Sequence, residues 1–189
     1  MTTSFDRQQY GPVIAELLAD EQPATLGPMS KGADVRSQLV ALPAETPLAT
    51  AGNRAMADAC VSGLWLYHNF LDRSHEISQS LHNQEGSYWH AVMHRREPDY
   101  SNSKYWFRQV GTHPVFEPLA AAASALANTA AVPRGAEFLT AQTNWDPMRF
   151  VDLCQQAAGS GSALEQLCRD VQHREWQLLF DYCWQRALA

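Results

Sequence analysis

The longest uninterrupted helical pattern in the chain runs from Arg54 to about His82, and it constrains the fold more than any other feature. This stretch contains no proline, and its only glycine is Gly63. Its apolar residues follow the spacing of an α-helix, at Ala57, Cys60, Val61, Leu64 and Leu71. We therefore expect one long helix with an apolar face packed against a core.

A second helix is predicted to return alongside the first. The segment 83–87 is typical of a turn, and Ser87 suits the N-cap of a helix over residues 88–97. Pro98 ends that helix, because a proline disfavours helical backbone in the residue before it. The connection is short, so the helices at about 54–82 and 88–97 should form a central antiparallel hairpin.

The rest of the sequence also favours helices, since no segment shows the apolar alternation of a strand. We predict an all-α fold, a single-domain helical bundle. An N-terminal arm with short helices would span residues 1–50, and an α-helical domain over 51–189 would carry the functional site within 65–118. Further helices should begin at Ser101 or Asn102 (ending near Gly111), at Phe116 (ending at Ala131), after Asp146 and after Ser162.

Charge and composition exclude some partners. The net charge is −6, whereas nucleic acids and anionic membranes bind basic surfaces. No apolar run is long enough to cross a bilayer, and the N-terminus lacks the features of a signal peptide. The cysteines form no C-x-x-C pair and are typical of reduced thiols. We expect a cytoplasmic protein that binds a small-molecule substrate or ligand, no nucleic acid and no membrane, and that can form a homodimer.

Polar side chains recur at steps of three and four residues on both helices of the hairpin, and such steps keep side chains on one face. The first helix carries His68, Asp72, His75, Gln79 and His82. The second helix carries His90, His94 and Glu97. The turn is centred near Glu85. Residues equally far from it on the two antiparallel helices, whose numbers sum to about 170, should therefore lie side by side. His75 should then lie near His94, and Asp72 near Glu97.

Imidazoles and carboxylates that converge in this way are common ligands of transition metals. We predict that one divalent metal ion (zinc, iron or manganese) is bound by His75, His90 and His94. The alternative is that His90 and His94 only form hydrogen bonds to carboxylates within the hairpin.

Carboxylates beside such a site can act in catalysis. Glu97 would be a fourth ligand or the general base, and Asp72 would orient a histidine from outside the ligand set. The candidate catalytic residues are Glu97, Asp72 and Asp99.

Cations and aromatic side chains crowd the same stretch. Guanidinium groups bind carboxylates or phosphates through paired hydrogen bonds, and aromatic rings line small-molecule pockets. The candidate substrate-binding residues are Arg95, Arg96, Lys104, Tyr100, Trp89 and Asn102. Other roles for these residues stay open. Asn102 would cap a helix or bind the metal. Both arginines would instead pair with carboxylates such as Glu76, Glu97 and Asp99.

Residues 63–116 contain the motifs GLWLYHNFLDRSHEISQSL and GSYWHAVMHRREPDYSNSKYWFRQVGTHPVF. They resemble the signature of a family of bacterial and fungal proteins, approximately LDESHxISQ followed by YWHAIMHRREPDYxNAKYWFRRVGxHP. Arg73 stands where that pattern has an acidic residue, which argues against a catalytic role for position 73. No activity is known for the family, so the resemblance implies no reaction.

Together these features predict a metal-dependent enzyme, a hydrolase, lyase or oxidoreductase, that acts on a small polar or anionic substrate. Two alternatives stay open. One is a metal-free enzyme in which the histidines and carboxylates transfer protons. The other is a non-enzymatic module that binds an anionic metabolite or a protein.

Overall fold

The computed structural model describes residues 5–19, 25–29, 35–128 and 133–189. Within these ranges the regular structure is entirely helical, as predicted, and no helix combines the length and hydropathy that a membrane-spanning segment needs. Two short 3-10 segments lie at Arg7–Tyr10 and Pro47–Thr50. The α-helices are α1 (Pro12–Leu17), α2 (Val35–Glu45), α3 (Arg54–Tyr67), α4 (Leu71–Ser80), α5 (Gln84–Arg96), α6 (Tyr100–Val110), α7 (Phe116–Ala127), α8 (Glu137–Ala141), α9 (Pro147–Ala157) and α10 (Ala163–Leu188).

The prediction of one helix over 54–82 is wrong, because the chain breaks into α3 and α4 at residues 68–70. Asn69 has a φ of 65°, in the left-handed region that asparagine tolerates better than most residues. Arg96 donates hydrogen bonds to the Leu66 carbonyl oxygen at 2.8 Å and to Asn69 Oδ1 at 2.7 Å. This side chain therefore links the end of α3 to the turn that follows it.

The connection between α4 and α5 is tighter than predicted. α5 begins at Gln84 because its N-cap is Asn83, not Ser87, and the Asn83 side chain accepts a hydrogen bond from the Gly86 backbone N–H at 2.8 Å. A Cβ atom on Gly86 would lie 2.4 Å from Leu81 Cβ. Only glycine fits this close approach, and the predicted antiparallel hairpin is formed by α4 and α5.

Other predicted boundaries are confirmed. Asp146 caps α9, Ser162 caps α10, and Gly111 ends α6 with a φ of 65°. α7 begins at Phe116 as predicted and ends at Ala127, whereas residues 129–131 of its predicted range lie outside the described part of the chain.

The core lies between α10 and the helices α3, α5 and α7. On α3, Gly63 allows the indole of Trp89 to approach, since a Cβ at this position would lie 2.7 Å from Trp89 Cζ2. The Gly63 carbonyl oxygen accepts a hydrogen bond from Trp176 Nε1 at 2.8 Å. The Tyr10 ring packs edge-on against Phe180 of α10, with 5.0 Å between the ring centroids. The N-terminal segment thus packs on the same core.

A buried ion pair joins α5 to α10. Arg95 and Glu175 form a salt bridge, and both side chains are completely buried. Tyr88 donates a hydrogen bond to Glu175 Oε1 at 3.0 Å, and Arg95 Nε donates one to Gln172 Oε1 at 3.2 Å. The guanidinium carbon also lies 4.8 Å from the centre of the Phe150 ring. These contacts fix the rotation of α5 about its own axis.

We expect Arg95→Met to lower the free energy of unfolding by about 3–5 kcal/mol, because it leaves the Glu175 carboxylate buried without its partner. Urea denaturation measures this change. Adding Glu175→Leu should recover most of the loss, since no charge then stays buried.

Arg73→Met is the matched control for this prediction, because Arg73 forms an exposed pair with Glu76 on α4. Its loss should cost about 0–1 kcal/mol. A loss for Arg95→Met no larger than that of the control would show that the buried pair does not hold α5 in place.

Candidate metal centre

Three histidines from two helices meet where α4 faces α5. The ring centroid of His75 on α4 lies 4.6 Å from that of His90 and 5.2 Å from that of His94, both on α5. Each histidine offers one ring nitrogen such that all three atoms lie within 4.8 Å of one another. His90 and His94 are buried and His75 is half-buried, so the cluster reaches solvent beside His75. This group can hold a metal ion.

The break at residues 68–70 separates the other polar residues that were predicted to share one face of the first helix. His68 lies at the end of α3, before the turn, and is not on α4. His82 follows the end of α4 and is exposed. Asp72 and Gln79 remain on α4, about one turn either side of His75, and both are exposed. Of the five polar residues predicted on the first helix, only His75 therefore belongs to the three-histidine cluster.

His90 and His94 are in direct contact, and their burial disfavours the charged form of both rings. His90 Nε2 lies 2.9 Å from His94 Nε2. Burial, together with the neighbouring His94 and His75, lowers the pKa of His90 to about 3. Burial and His75 also lower the pKa of His94, against the opposing effect of Glu97. Neutral imidazole is the form that binds a metal.

Glu97 contacts the nitrogen of His94 that points away from His90. Its Oε2 lies 3.2 Å from His94 Nδ1. A proton on Nδ1 facing this carboxylate leaves the lone pair of Nε2 available, which is the arrangement that supports histidine ligands in metal sites. Glu97 thus lies on the side of the His94 ring that faces away from His90, and it does not belong to the three-histidine cluster.

One face of α6 covers the histidines. Trp106 stacks on His90 with 4.1 Å between the ring centroids and an interplanar angle of 21°. Asn102, one helical turn earlier, places its Nδ2 3.0 Å from His94 Nε2. Trp106 was not among the predicted site residues, although its spacing of four from Asn102 places the two on one helix face.

Asp99, a predicted catalytic carboxylate, is the N-cap of α6 in place of Ser101 or Asn102. Its Oδ1 accepts hydrogen bonds from the Asn102 backbone N–H and from Ser101 Oγ, both at 3.1 Å. The Asn102 N–H is the main cause of a lowered pKa for Asp99. Because Asp99 provides the cap, the Asn102 side chain is available to contact His94.

The arginines predicted as substrate anchors point away from the histidines. Arg95 lies in the ion pair with Glu175, and Arg96 lies in the turn between α3 and α4. Burial, together with Arg95, lowers the pKa of Arg96 to about 10. Successive side chains on a helix point about 100° apart. Arg95 and Arg96, which follow His94 in sequence, therefore face other parts of the molecule. Trp89 is likewise fully buried in the core.

Lys104 and Tyr100 line a cleft of about 520 Å³ together with Arg108 and Gln155. None of the three clustered histidines lines this cleft, and Lys104 forms a salt bridge with Asp152. Residues two apart on a helix do not share a face, so Lys104 and Asn102 project on different sides of α6. Lys104 and Tyr100 are therefore not brought together with the histidines.

Comparison of the chain with protein-family models, curated proteins and solved structures gives no match. The resemblance of residues 63–116 to the bacterial and fungal family therefore rests on its motifs alone.

Asp99→Ala should lower the free energy of unfolding by about 1 kcal/mol, because α6 loses its N-cap. Asp99→Asn should cost only a small part of this, since asparagine caps helices about as well as aspartate. Urea unfolding compares the two variants, with Ser101→Ala as the control. Equal losses for the alanine and asparagine substitutions would mean that the charge of Asp99, and not its cap, carries its contribution.

Proposed function

We propose that this protein is a metal-dependent enzyme that acts on a small polar substrate and binds one divalent metal ion through His75, His90 and His94. The observation that carries the proposal is the convergence of three imidazoles, with ligand nitrogens within 4.8 Å of one another. Two of them are buried and kept neutral, and neutral nitrogen donors suit zinc, iron and manganese.

The surroundings support a ligand role for His94 in particular. Glu97 Oε2 lies 3.2 Å from Nδ1 of His94, and a proton on Nδ1 would leave the lone pair of Nε2 facing His90 and Asn102. We assign Glu97 as a positioning residue, because its oxygen contacts Nδ1 of His94, the ring nitrogen that does not face His90. Trp106 covers His90 and limits the access of water from that side.

Because the three imidazole ligands are neutral, a bound divalent ion would keep its full positive charge at the site. Such an ion supplies Lewis-acid chemistry, because it polarises a bound substrate oxygen and lowers the pKa of a bound water. The substrate would approach beside His75, the half-buried member of the cluster. Arg95 and Arg96 are engaged in the core and in the α3–α4 turn, so neither is available to bind an anionic substrate at this site.

The contact between His94 and Glu97 favours a second candidate, a metal-free enzyme in which His94 transfers protons. A carboxylate on Nδ1 fixes the tautomer and leaves Nε2 to accept a proton, as in catalytic triads. Turnover that survives chelation and metal removal would favour this candidate. Metal binding without turnover in a screen of small polar substrates would favour a binding module.

The wild-type protein, purified without a histidine tag, should bind zinc, iron or manganese in stoichiometric amount. His94→Ala should weaken the affinity by more than ~100-fold, beyond the range that loss of an outer partner causes. Elemental analysis after gel filtration and a calorimetric titration measure both quantities. His82→Ala is the control, because His82 is exposed and outside the cluster. Absence of bound metal and of any thermal shift on adding these ions would refute the proposal.

Glu97→Ala should weaken metal binding by about 10–100-fold, because His94 loses the group that orients it. Glu97→Gln should lie between this variant and the wild type, since the amide oxygen can still accept a hydrogen bond from Nδ1. The control is Glu76→Ala on the exposed surface of α4. Unchanged affinity in Glu97→Ala would show that this carboxylate does not support the site.

A further inference from the structure

The side-chain amide of Asn102 lies against the same nitrogen of His94 that faces His90. Asn102 Nδ2 is 3.0 Å from His94 Nε2, and His90 Nε2 is 2.9 Å from that atom. The backbone N–H of Asn102 is already bonded to the Asp99 cap, so the amide is not needed to begin α6. An amide side chain, two imidazoles and the half-buried His75 thus share one small space.

Hydrogen bonding alone does not satisfy this arrangement. A neutral imidazole nitrogen has one lone pair to offer. If His90 and Asn102 both donate to His94 Nε2, two donors compete for that single lone pair. A cation at the same place would instead be bound by the lone pairs of both imidazoles and by an oxygen donor.

Asn102 can supply that oxygen. The oxygen and nitrogen of an asparagine amide exchange places when the group turns by 180° about its last side-chain bond. Oδ1 then occupies the position that Nδ2 holds, about 3.0 Å from His94 Nε2. Amide and other carbonyl oxygens are established metal ligands.

We propose that Asn102 is the fourth protein ligand of the metal, through Oδ1. This inference rests on the proposed function, since it requires metal at His75, His90 and His94. On an ion that takes six ligands, such as manganese, four protein ligands leave two positions for water and substrate. A substrate that offers two oxygen or nitrogen donors, such as a hydroxy-carbonyl compound, would fill both positions when they are adjacent.

The test uses the untagged full-length protein and two substitutions at position 102. Manganese affinity is measured by calorimetry for the wild type, Asn102→Ala and Asn102→Asp. Asn102→Ala should weaken binding by at least ~10-fold, whereas Asn102→Asp should bind as tightly as the wild type or more tightly, because a carboxylate oxygen is also a ligand. A residue that merely donated a hydrogen bond to His94 would be impaired by both substitutions. Asn128→Ala, an exposed asparagine at the end of α7, is the matched control.

Cobalt(II) provides a second readout that does not depend on affinity. The visible spectrum of bound cobalt depends on its ligands, so Asn102→Ala should change the position or intensity of the bands. Identical cobalt spectra, or equal manganese affinity, in the wild type and Asn102→Ala would overturn the role of Asn102 and leave the three-histidine site standing. No metal binding by the wild type would overturn both proposals. Circular dichroism of each variant verifies that it is folded.

Discussion

The buried pair of Arg95 and Glu175 is the interaction on which the arrangement of this bundle depends. A charge left without its partner in the core costs several kcal/mol, so α5 must present Arg95 to α10. This requirement leaves α5 one rotation about its axis. The same rotation carries His90 and His94 to the side where α4 and α6 lie.

Three successive residues of α5 consequently serve three different neighbours. His94 belongs to the histidine cluster, Arg95 binds Glu175 of α10, and Arg96 holds the turn between α3 and α4. That turn redirects the chain so that His75 on α4 faces α5. The helix that carries two of the histidines therefore also determines where the third one lies.

Local patterns predicted what depends on local geometry. Steps of three and four residues were enough to group His90 with His94, and the length of the hairpin connection placed His75 at their level. Cap residues such as Asp146 and Ser162 marked helix starts correctly, because a cap acts on backbone groups two or three residues away.

Sequence patterns failed where partners are distant in the chain. The break at Asn69 carries no proline or glycine, and it is held by Arg96, 27 residues further on. The core position of Arg95 depends on Glu175, 80 residues away, and nothing near Arg95 in sequence reveals that partner. The residues near Arg95 in sequence therefore predict that it binds a ligand, whereas its charge is already matched in the core.

The turn at Asn69 has a further consequence for exchange of a bound ion with solvent. His90 and His94 stay one helical turn apart in any state that keeps α5 helical, whereas His75 reaches them only while α4 is docked. Undocking of α4 alone would reduce the histidine set from three to two, and a bound ion would oppose that opening with the free energy of the lost bond. Docking of this short helix on α5 is therefore what completes the ligand set.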